Sequence, residues 1–284
     1  MKLFDNYFYG RPDCGDYTPD DQPKTRAQLF FQVLRVRWGG LVGLNLLYLF
    51  FWLPALIWTA LCWGYFTQVN AEAQLYNTIF TYLLLLCPLC AITGPANMGL
   101  CYVLRNWARD EHAYAWTDFW QGLRDNWKQG LLLGFLKGFV PLALYVWAYI
   151  VLVSANLLSY VPAVLALICA IIYALAEMLM PMQIVTYRQS FAAKMKNAVI
   201  ITLAQLPRAV GIKLLTYAVP IAGCALAKLC GKSWPLSLVA GLYCVILISF
   251  NKLIVASYAN AMCEKYINSK IDGAQTDIGI YKDE

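Results

Sequence analysis

The longest uncharged run of the chain extends over 39 residues, from Gly138 to Ala176, without an Asp, Glu, Lys, Arg or His. As a single α-helix this run would be about 58 Å long, roughly twice the thickness of the hydrocarbon core of a bilayer. The run therefore predicts two membrane-spanning helices joined by a short connection.

Further apolar blocks extend this pattern to the rest of the chain. Apolar residues make up 61% of the sequence and charged residues only 13%, against about 25% charged in an ordinary globular chain. Because the apolar residues occur in blocks and not in alternation, we exclude a soluble enzyme, a coiled coil, a disordered tail and a transmembrane barrel. The sequence predicts an all-α polytopic membrane protein with about six spans, at residues 38–63, 76–102, 131–153, 160–185, 209–228 and 235–258.

Basic residues are distributed unevenly around these spans. Eighteen of the 22 Lys and Arg residues lie before the first span, in or near the second and fourth connections, or after the last span, and they include Lys2, Arg11 and Lys282. By the positive-inside rule, both termini are predicted to be cytoplasmic. The net charge of +6 then indicates affinity for the anionic inner leaflet of the lipid bilayer, and no nucleic acid is expected as a partner.

A short amphipathic pattern precedes each pair of spans. Residues 30–38 and 119–127 are identical at five of nine positions, and a fainter copy begins at Phe191. In the first two copies the apolar residues fall on one helical face, which is typical of a helix at the membrane surface. The predicted interfacial anchors are Phe30, Phe31, Trp38, Phe119, Trp120 and Trp127.

A surface helix and two spans together form a unit that occurs three times. We predict parallel repeat units at residues 25–104, 112–186 and 188–262 within a single transmembrane domain at 25–262. Residues 1–24 and 263–284 are predicted to be cytoplasmic tails. The alternative is that unrelated surface helices have converged on aromatic and basic residues.

Two ionisable residues fall deep inside predicted spans. Glu177 lies 15 residues after Pro162 and Lys252 lies 17 residues after Pro235, and both helices run inward. At 1.5 Å per residue, their depths in the membrane differ by only about 3 Å. We expect the two groups to pair, with Asn251 and Gln183 as polar neighbours, because a lone buried charge costs several kcal/mol. The pair is interpreted either as a gate or proton-coupled site, or as a purely structural ion pair, with Lys252 reaching the cytoplasmic surface as a further alternative.

Small residues at four-residue spacing predict close helix packing. Gly130, Gly134 and Gly138 repeat in the third span, and Gly39 and Gly43 open the first. Glycines in such register let two helix backbones approach closely.

The residues that usually carry catalysis or bind metals show no recognisable pattern. Cys87 and Cys90 have the spacing of a redox pair but lie inside a predicted span, so we interpret them as small buried apolar residues. The sequence has no zinc-helix signature, no phosphate-binding glycine loop and no nucleophile elbow. We therefore expect no enzyme, no catalytic residue, no metal and no cofactor.

One part of the chain is similar to a known family. Residues 93–106, 110–113 and 118–129, together with 44–48 and Pro54, resemble the YesL family of bacterial membrane proteins. The resemblance implies a multi-pass protein of the bacterial plasma membrane. Relatives are often encoded beside carbohydrate uptake transporters and membrane sensor kinases, but the family has no established activity, so no site residue is carried over.

Two functions from different classes follow as hypotheses. The first is an accessory or regulatory partner of a carbohydrate transporter or membrane sensor system, which suits the aromatic surface helices and the glycine packing faces. The alternative is a small-solute secondary transporter that uses the Glu177–Lys252 pair.

Overall fold

The structure is a computed structural model that describes residues 22–68, 72–154 and 156–281. Lys2, Arg11, Lys282 and most of the predicted tail at 1–24 lie outside these residues. Over the described ranges the chain forms helices and no strand. The helices are α1 (Arg26–Val36), α2 (Trp38–Phe66), α3 (Glu72–Trp107), α4 (Ala115–Asp125), α5 (Trp127–Ser154), α6 (Leu157–Ala176), α7 (Met180–Thr186), α8 (Phe191–Ala204), α9 (Leu206–Cys230), α10 (Trp234–Leu242) and α11 (Ile248–Tyr266).

Among the described residues, six segments are long and apolar enough to cross a membrane. They correspond to α2, α3, α5, α6, α9 and the continuous segment formed by α10 and α11. A short helix precedes each pair, namely α1, α4 and α8, so the order of surface helix, span and span occurs three times. The predicted all-α fold with six spans in three hairpins is confirmed.

Helix α3 lies at the centre of the bundle. It packs against α2, α4, α5, α7 and α11, and its residues Ala96, Met98, Leu100 and Leu104 are completely buried. The helix is continuous through Pro88 and Pro95. In contrast, α6 has only 6% of its most apolar segment buried, so most of its surface is available to lipid.

The fourth span is shorter than predicted. Helix α6 ends at Ala176, three turn residues follow, and α7 begins at Met180. Pro181 explains the break, because its ring clashes with the carbonyl group of residue 177 in a continuing helix and its nitrogen has no hydrogen to donate. Glu177 therefore caps the end of a helix and does not lie within one, which corrects the span predicted at 160–185.

The glycines of α5 lie in close contact with the backbone of α3. A Cβ atom added to Gly134 would lie 2.5 Å from the carbonyl oxygen of Cys90, and one added to Gly138 would lie 2.7 Å from the Cα of Cys87. One added to Gly130 would lie 2.9 Å from the Cα of Pro95. Only glycine allows α3 and α5 to approach this closely.

The predicted packing face at Gly39 and Gly43 is wrong. Among the described residues, no atom from outside the helix's own local backbone lies within 4 Å of a Cβ built on either residue, whereas one built on Gly40 would meet the ring of Trp107 at 2.7 Å. Spacing alone identifies a smooth face of a helix, but it does not show that another helix covers that face.

A π-helical turn at Tyr243–Leu247 joins α10 to α11. The buried Asn45 of α2 holds this turn, because its Nδ2 donates to the carbonyl oxygens of Tyr243 (2.9 Å) and Cys244 (2.8 Å). Its Oδ1 accepts from the backbone N–H of Ser249 at 3.0 Å. A single amide thus binds three backbone groups in and beside this irregular turn.

The last helix continues beyond residue 262 and packs against the start of the chain. Arg26 of α1 forms an ion pair with Glu264 of α11 and donates from Nη1 to the carbonyl oxygen of Ile278 at 2.9 Å. The backbone N–H of Tyr281 donates to the carbonyl oxygen of Pro23 at 3.0 Å. Segments near the two termini therefore lie at the same end of the bundle.

Candidate functional site

Four charged side chains meet where α6 ends. The Oε1 atom of Glu177 lies 3.9 Å from the Nζ atoms of Lys137 and Lys252, and its Oε2 atom lies 3.9 Å from Nζ of Lys213. We call these four residues the charge cluster. The Glu177 side chain is only 12% exposed, and those of Lys252, Lys213 and Lys137 are 17%, 22% and 40% exposed.

Each member of the charge cluster is positioned by a different element. Lys137 lies on α5 next to Gly138, so the close packing of α3 and α5 fixes its depth in the bundle. Lys252 lies on α11, five residues beyond the π-helical turn. Lys213 lies in the second turn of α9, and Glu177 lies at the end of α6 because Pro181 terminates that helix.

Positive charge is in excess in this cluster. Three ammonium groups and one carboxylate leave a net charge of +2 when all four groups are ionised. Each ammonium carries three N–H donors, whereas one carboxylate offers only about four acceptor positions. Within the described ranges, none of the three Nζ atoms donates a hydrogen bond to a protein acceptor. The cluster therefore has the chemistry to bind an anion.

Aromatic rings lie beside two of the lysines. The Nζ of Lys137 lies 5.7 Å from the centre of the Trp52 ring, and that of Lys213 lies 5.6 Å from the centre of the Tyr217 ring. Ring faces stabilise a cation without neutralising it. The lysines consequently keep their charge available to a ligand.

The charge cluster lines a cavity of about 170 Å³ between α9 and α11. Thr216, Tyr217, Tyr243 and Asn251 contribute polar groups to its wall. The amide of Asn251 donates to the carbonyl oxygen of Thr216 at 3.1 Å, which ties the two helices together beside the lysines. The cavity can accept a small polar group next to the ammonium groups.

A second cavity, of about 410 Å³, adjoins the first. The two cavities share Lys137, Tyr243, Ile248 and Lys252. The remaining wall of the second cavity is largely apolar and is formed by Tyr48, Leu49, Trp52, Leu56, Ala240 and Cys244. The lysines thus lie between a small cavity whose wall contains several polar side chains and a larger cavity whose wall is largely apolar.

Sequence reasoning identified part of this cluster. It paired Glu177 with Lys252, which the structure brings together, but it missed Lys137 and Lys213. Both lysines fall within predicted spans, and that position was the available signal. Which helices are neighbours could not be read from the sequence, so the number of lysines that reach Glu177 stayed unknown. Gln183, expected beside the pair, lies on α7 and does not line either cavity.

The six predicted interfacial anchors occupy different environments. Phe31, Trp38 and Trp127 are 65%, 54% and 48% exposed, so their rings do not belong to the protein core. Phe30 and Trp120 are half-buried, and Trp120 packs at 6.0 Å from the ring of Phe51 in α2.

Phe119 is fully buried, which corrects its assignment as an anchor. Its backbone and ring lie directly over Gly99 of α3, and a Cβ on Gly122 would meet Tyr102 of the same helix at 2.6 Å. These two glycines let α4 lie so close to α3 that the apolar face of α4 turns into the protein. The amphipathic pattern identifies this face but does not show whether lipid or protein covers it.

The third surface helix also differs from a simple amphipathic helix. Lys194 of α8 is only 2% exposed, and its Nζ donates to Oε1 of Gln129 at 2.8 Å and to the carbonyl oxygen of Ile184 at 3.3 Å. Burial lowers the pKa of Lys194 below its ordinary value. This lysine fastens α8 to α5 and α7 and does not face solvent.

No grouping of His, Cys, Asp and Glu that could hold a metal ion occurs in the part of the chain that the structure describes. Cys87 and Cys90 are buried and unpaired, against the glycines of α5. Neither feature provides a second candidate site.

The fold and the charge cluster together define a multi-pass helical membrane protein with an ionisable site inside the bundle. Residues 41–149 match a family described as "Protein of unknown function, DUF624", of which the YesL family is part, so the resemblance is confirmed over these residues. No curated protein and no solved structure matches the chain.

Proposed function

We propose that this protein is a membrane carrier for small anionic solutes, with the charge cluster as its binding and coupling site. The observation that carries this proposal is the surplus of three lysines over one carboxylate at a cavity within the spans. This is the secondary-transporter hypothesis, extended from a pair of residues to four.

The energetics of burial favour an exchangeable anion. A surplus of positive charge in a low-dielectric environment is costly, and an entering anion relieves that cost. Glu177 acts as an internal counter-ion that partly neutralises the lysines when no solute is bound. A solute with one or two negative charges then shares the lysines with Glu177 or replaces Glu177 as their partner. When the solute leaves, Glu177 pairs with the lysines again.

We place the protein in a bacterial plasma membrane with both termini in the cytoplasm. The distribution of basic residues supports this orientation, and the Arg26–Glu264 contact holds segments near both termini at the same end of the bundle. Cys230 is exposed and is the last residue of α9, the end of this helix that is predicted to face away from the cytoplasm. A membrane-impermeant maleimide added to intact cells should therefore modify Cys230. If Cys230 is labelled only after the cells are permeabilised, the protein has the opposite orientation.

Flux across reconstituted vesicles tests the proposal. Wild-type protein should take up radiolabelled small carboxylates or phosphate down a gradient, and Glu177→Gln and Lys252→Met should each lower the initial rate by at least about tenfold, equivalent to about 1.4 kcal/mol. Lys228→Met is the matched control, because Lys228 is a lysine near the far end of α9, the helix that carries Lys213. Absence of anion flux with correctly folded protein would contradict a carrier.

The accessory function is the second candidate. Its supporting observation is the surface: α6 is barely buried, and α4 exposes Tyr114 and Trp116, which are 66% and 63% exposed, beside its N-terminus and in its first turn. Such surfaces suit a transporter or a sensor kinase as partner. Stoichiometric co-purification with one of these, lost on Trp116→Ala, together with absence of flux, would favour this function over the carrier.

A further inference from the structure

The charge cluster and the apolar cavity beside it form one continuous lining. Lys137 and Lys252 border both cavities, and Tyr243 and Ile248 of the α10–α11 segment complete the shared wall. Any ligand group that contacts these two lysines therefore has a partly polar space of about 170 Å³ on one side and a largely apolar space of about 410 Å³ on the other.

We propose that the ligand is an amphiphilic anion, with its carboxylate or phosphate on the charge cluster and its apolar body in the cavity formed by Tyr48, Trp52, Leu56 and Ala240. This inference rests on the proposed anion site and adds the class of ligand. The larger cavity lies within the range of roughly 300–1,000 Å³ typical of small-molecule sites, whereas the smaller one has room for a headgroup only.

The walls of the two cavities match the two halves of such a molecule. Trp52 and Leu56 both lie on α2 and face the apolar cavity, and the Trp52 ring also borders Lys137 at 5.7 Å. The polar groups of Thr216 and Asn251 lie only in the smaller cavity. A fully hydrophilic anion would leave the larger, apolar cavity without a matching group, and a neutral amphiphile would leave the excess positive charge of the cluster uncompensated.

Two sources could supply this chemistry. One is the bilayer, which contains anionic single-chain amphiphiles such as lysophosphatidate. The other is the aqueous phase, which contains short alkyl and aryl carboxylates. The shared feature is one anionic group attached to an apolar body.

Binding of a carboxylate series to the full-length protein in nanodiscs tests the inference. Equilibrium binding of propionate, butyrate, hexanoate and octanoate should strengthen by up to about fourfold per added methylene until the apolar cavity is filled. Octanol and octylamine should not compete, since they lack the anionic group. Empty nanodiscs provide the correction for partition into lipid.

Matched variants separate the two cavities. Ala240→Phe fills the apolar cavity, so it should abolish the dependence on chain length while propionate still binds. Ala222→Phe, on the exposed face of α9 away from both cavities, is the control and should leave the series unchanged. Lys213→Met should weaken binding of every acid in the series.

The outcomes distinguish this inference from the proposed function. Binding of all acids with equal affinity, or a chain-length dependence unchanged in Ala240→Phe, would overturn the amphiphile and leave the anion site standing. Absence of binding by any anion would overturn both. If lysophosphatidate binds, Ala240→Phe weakens that binding and the soluble acids do not bind, the inference is supported and the bilayer is the source of the ligand. If Ala240→Phe also weakens binding of the soluble acids, the aqueous phase is the source.

Discussion

At the scale of single residues, the members of the charge cluster are not equivalent. Glu177 is the one carboxylate that the described residues place among three ammonium groups, so its removal leaves all three without an anionic partner. Loss of a single lysine instead reduces the repulsion among the others. The effect of a neutralising substitution on the free energy of unfolding should consequently depend on which charge is removed.

We predict that Glu177→Gln is destabilising and that Lys137→Met is close to neutral. Breaking a buried ion pair from one side costs about 3–5 kcal/mol, and the partial exposure of the lysines places the expected loss for Glu177→Gln at or below about 3 kcal/mol. Lys137→Met keeps most of the apolar contact with Trp52. Thermal unfolding of the purified variants in the same detergent measures the difference, and a larger loss for Lys137→Met would mean that Glu177 is not the counter-ion of the cluster.

At the scale of helices, the contact between α3 and α5 determines where Lys137 lies. A Cβ atom added to Gly134 would have the carbonyl oxygen of Cys90 and the backbone of Ala91 within 3.0 Å, so these backbones are in direct contact. Gly211, in the interior of α9, has no atom of another described element within 4 Å of a Cβ built in the same way. The two glycines differ in packing and are alike in helical conformation.

Substitution by alanine at these two positions should therefore change the free energy of unfolding in opposite directions. Gly134→Ala should force α5 away from α3 and lower the free energy of unfolding by about 1–3 kcal/mol, the usual cost of overpacking. Gly211→Ala should raise it by up to about 1 kcal/mol, because alanine restricts the unfolded chain without meeting an obstacle. Unfolding temperatures measure both changes. Equal effects would show that α3 and α5 are not in close contact.

Much of this element-level arrangement could be predicted from the sequence. Hydropathy identifies the six spans because each must satisfy its backbone hydrogen bonds within one apolar helix. The spacing of Gly130, Gly134 and Gly138 predicts a packing face. The same rule fails at Gly39 and Gly43, since spacing carries no information about the neighbouring helix. The break after Ala176 was also missed, although Pro181 provides a local physical reason for it.

At the scale of the whole molecule, the charge cluster joins two of the three hairpins. Glu177 and Lys137 come from the second hairpin, and Lys213 and Lys252 come from the third. Helix α2 of the first hairpin contributes Trp52 to the adjoining cavity. The site thus requires the assembled bundle, which explains why pairwise reasoning about depth found Glu177 and Lys252 but neither of the other two lysines.

The measurement that tests the central claim most directly is the location of a heavy anion in the assembled protein. Crystals grown in lipidic mesophase and equilibrated with sodium iodide should show an anomalous peak within about 4 Å of the Nζ atoms of Lys137, Lys213 and Lys252, since a surplus of buried ammonium groups attracts an anion. The peak should disappear in a Lys213→Met, Lys252→Met double variant. An empty cluster in the wild-type protein, with iodide found only at other sites, would contradict an anion-binding site.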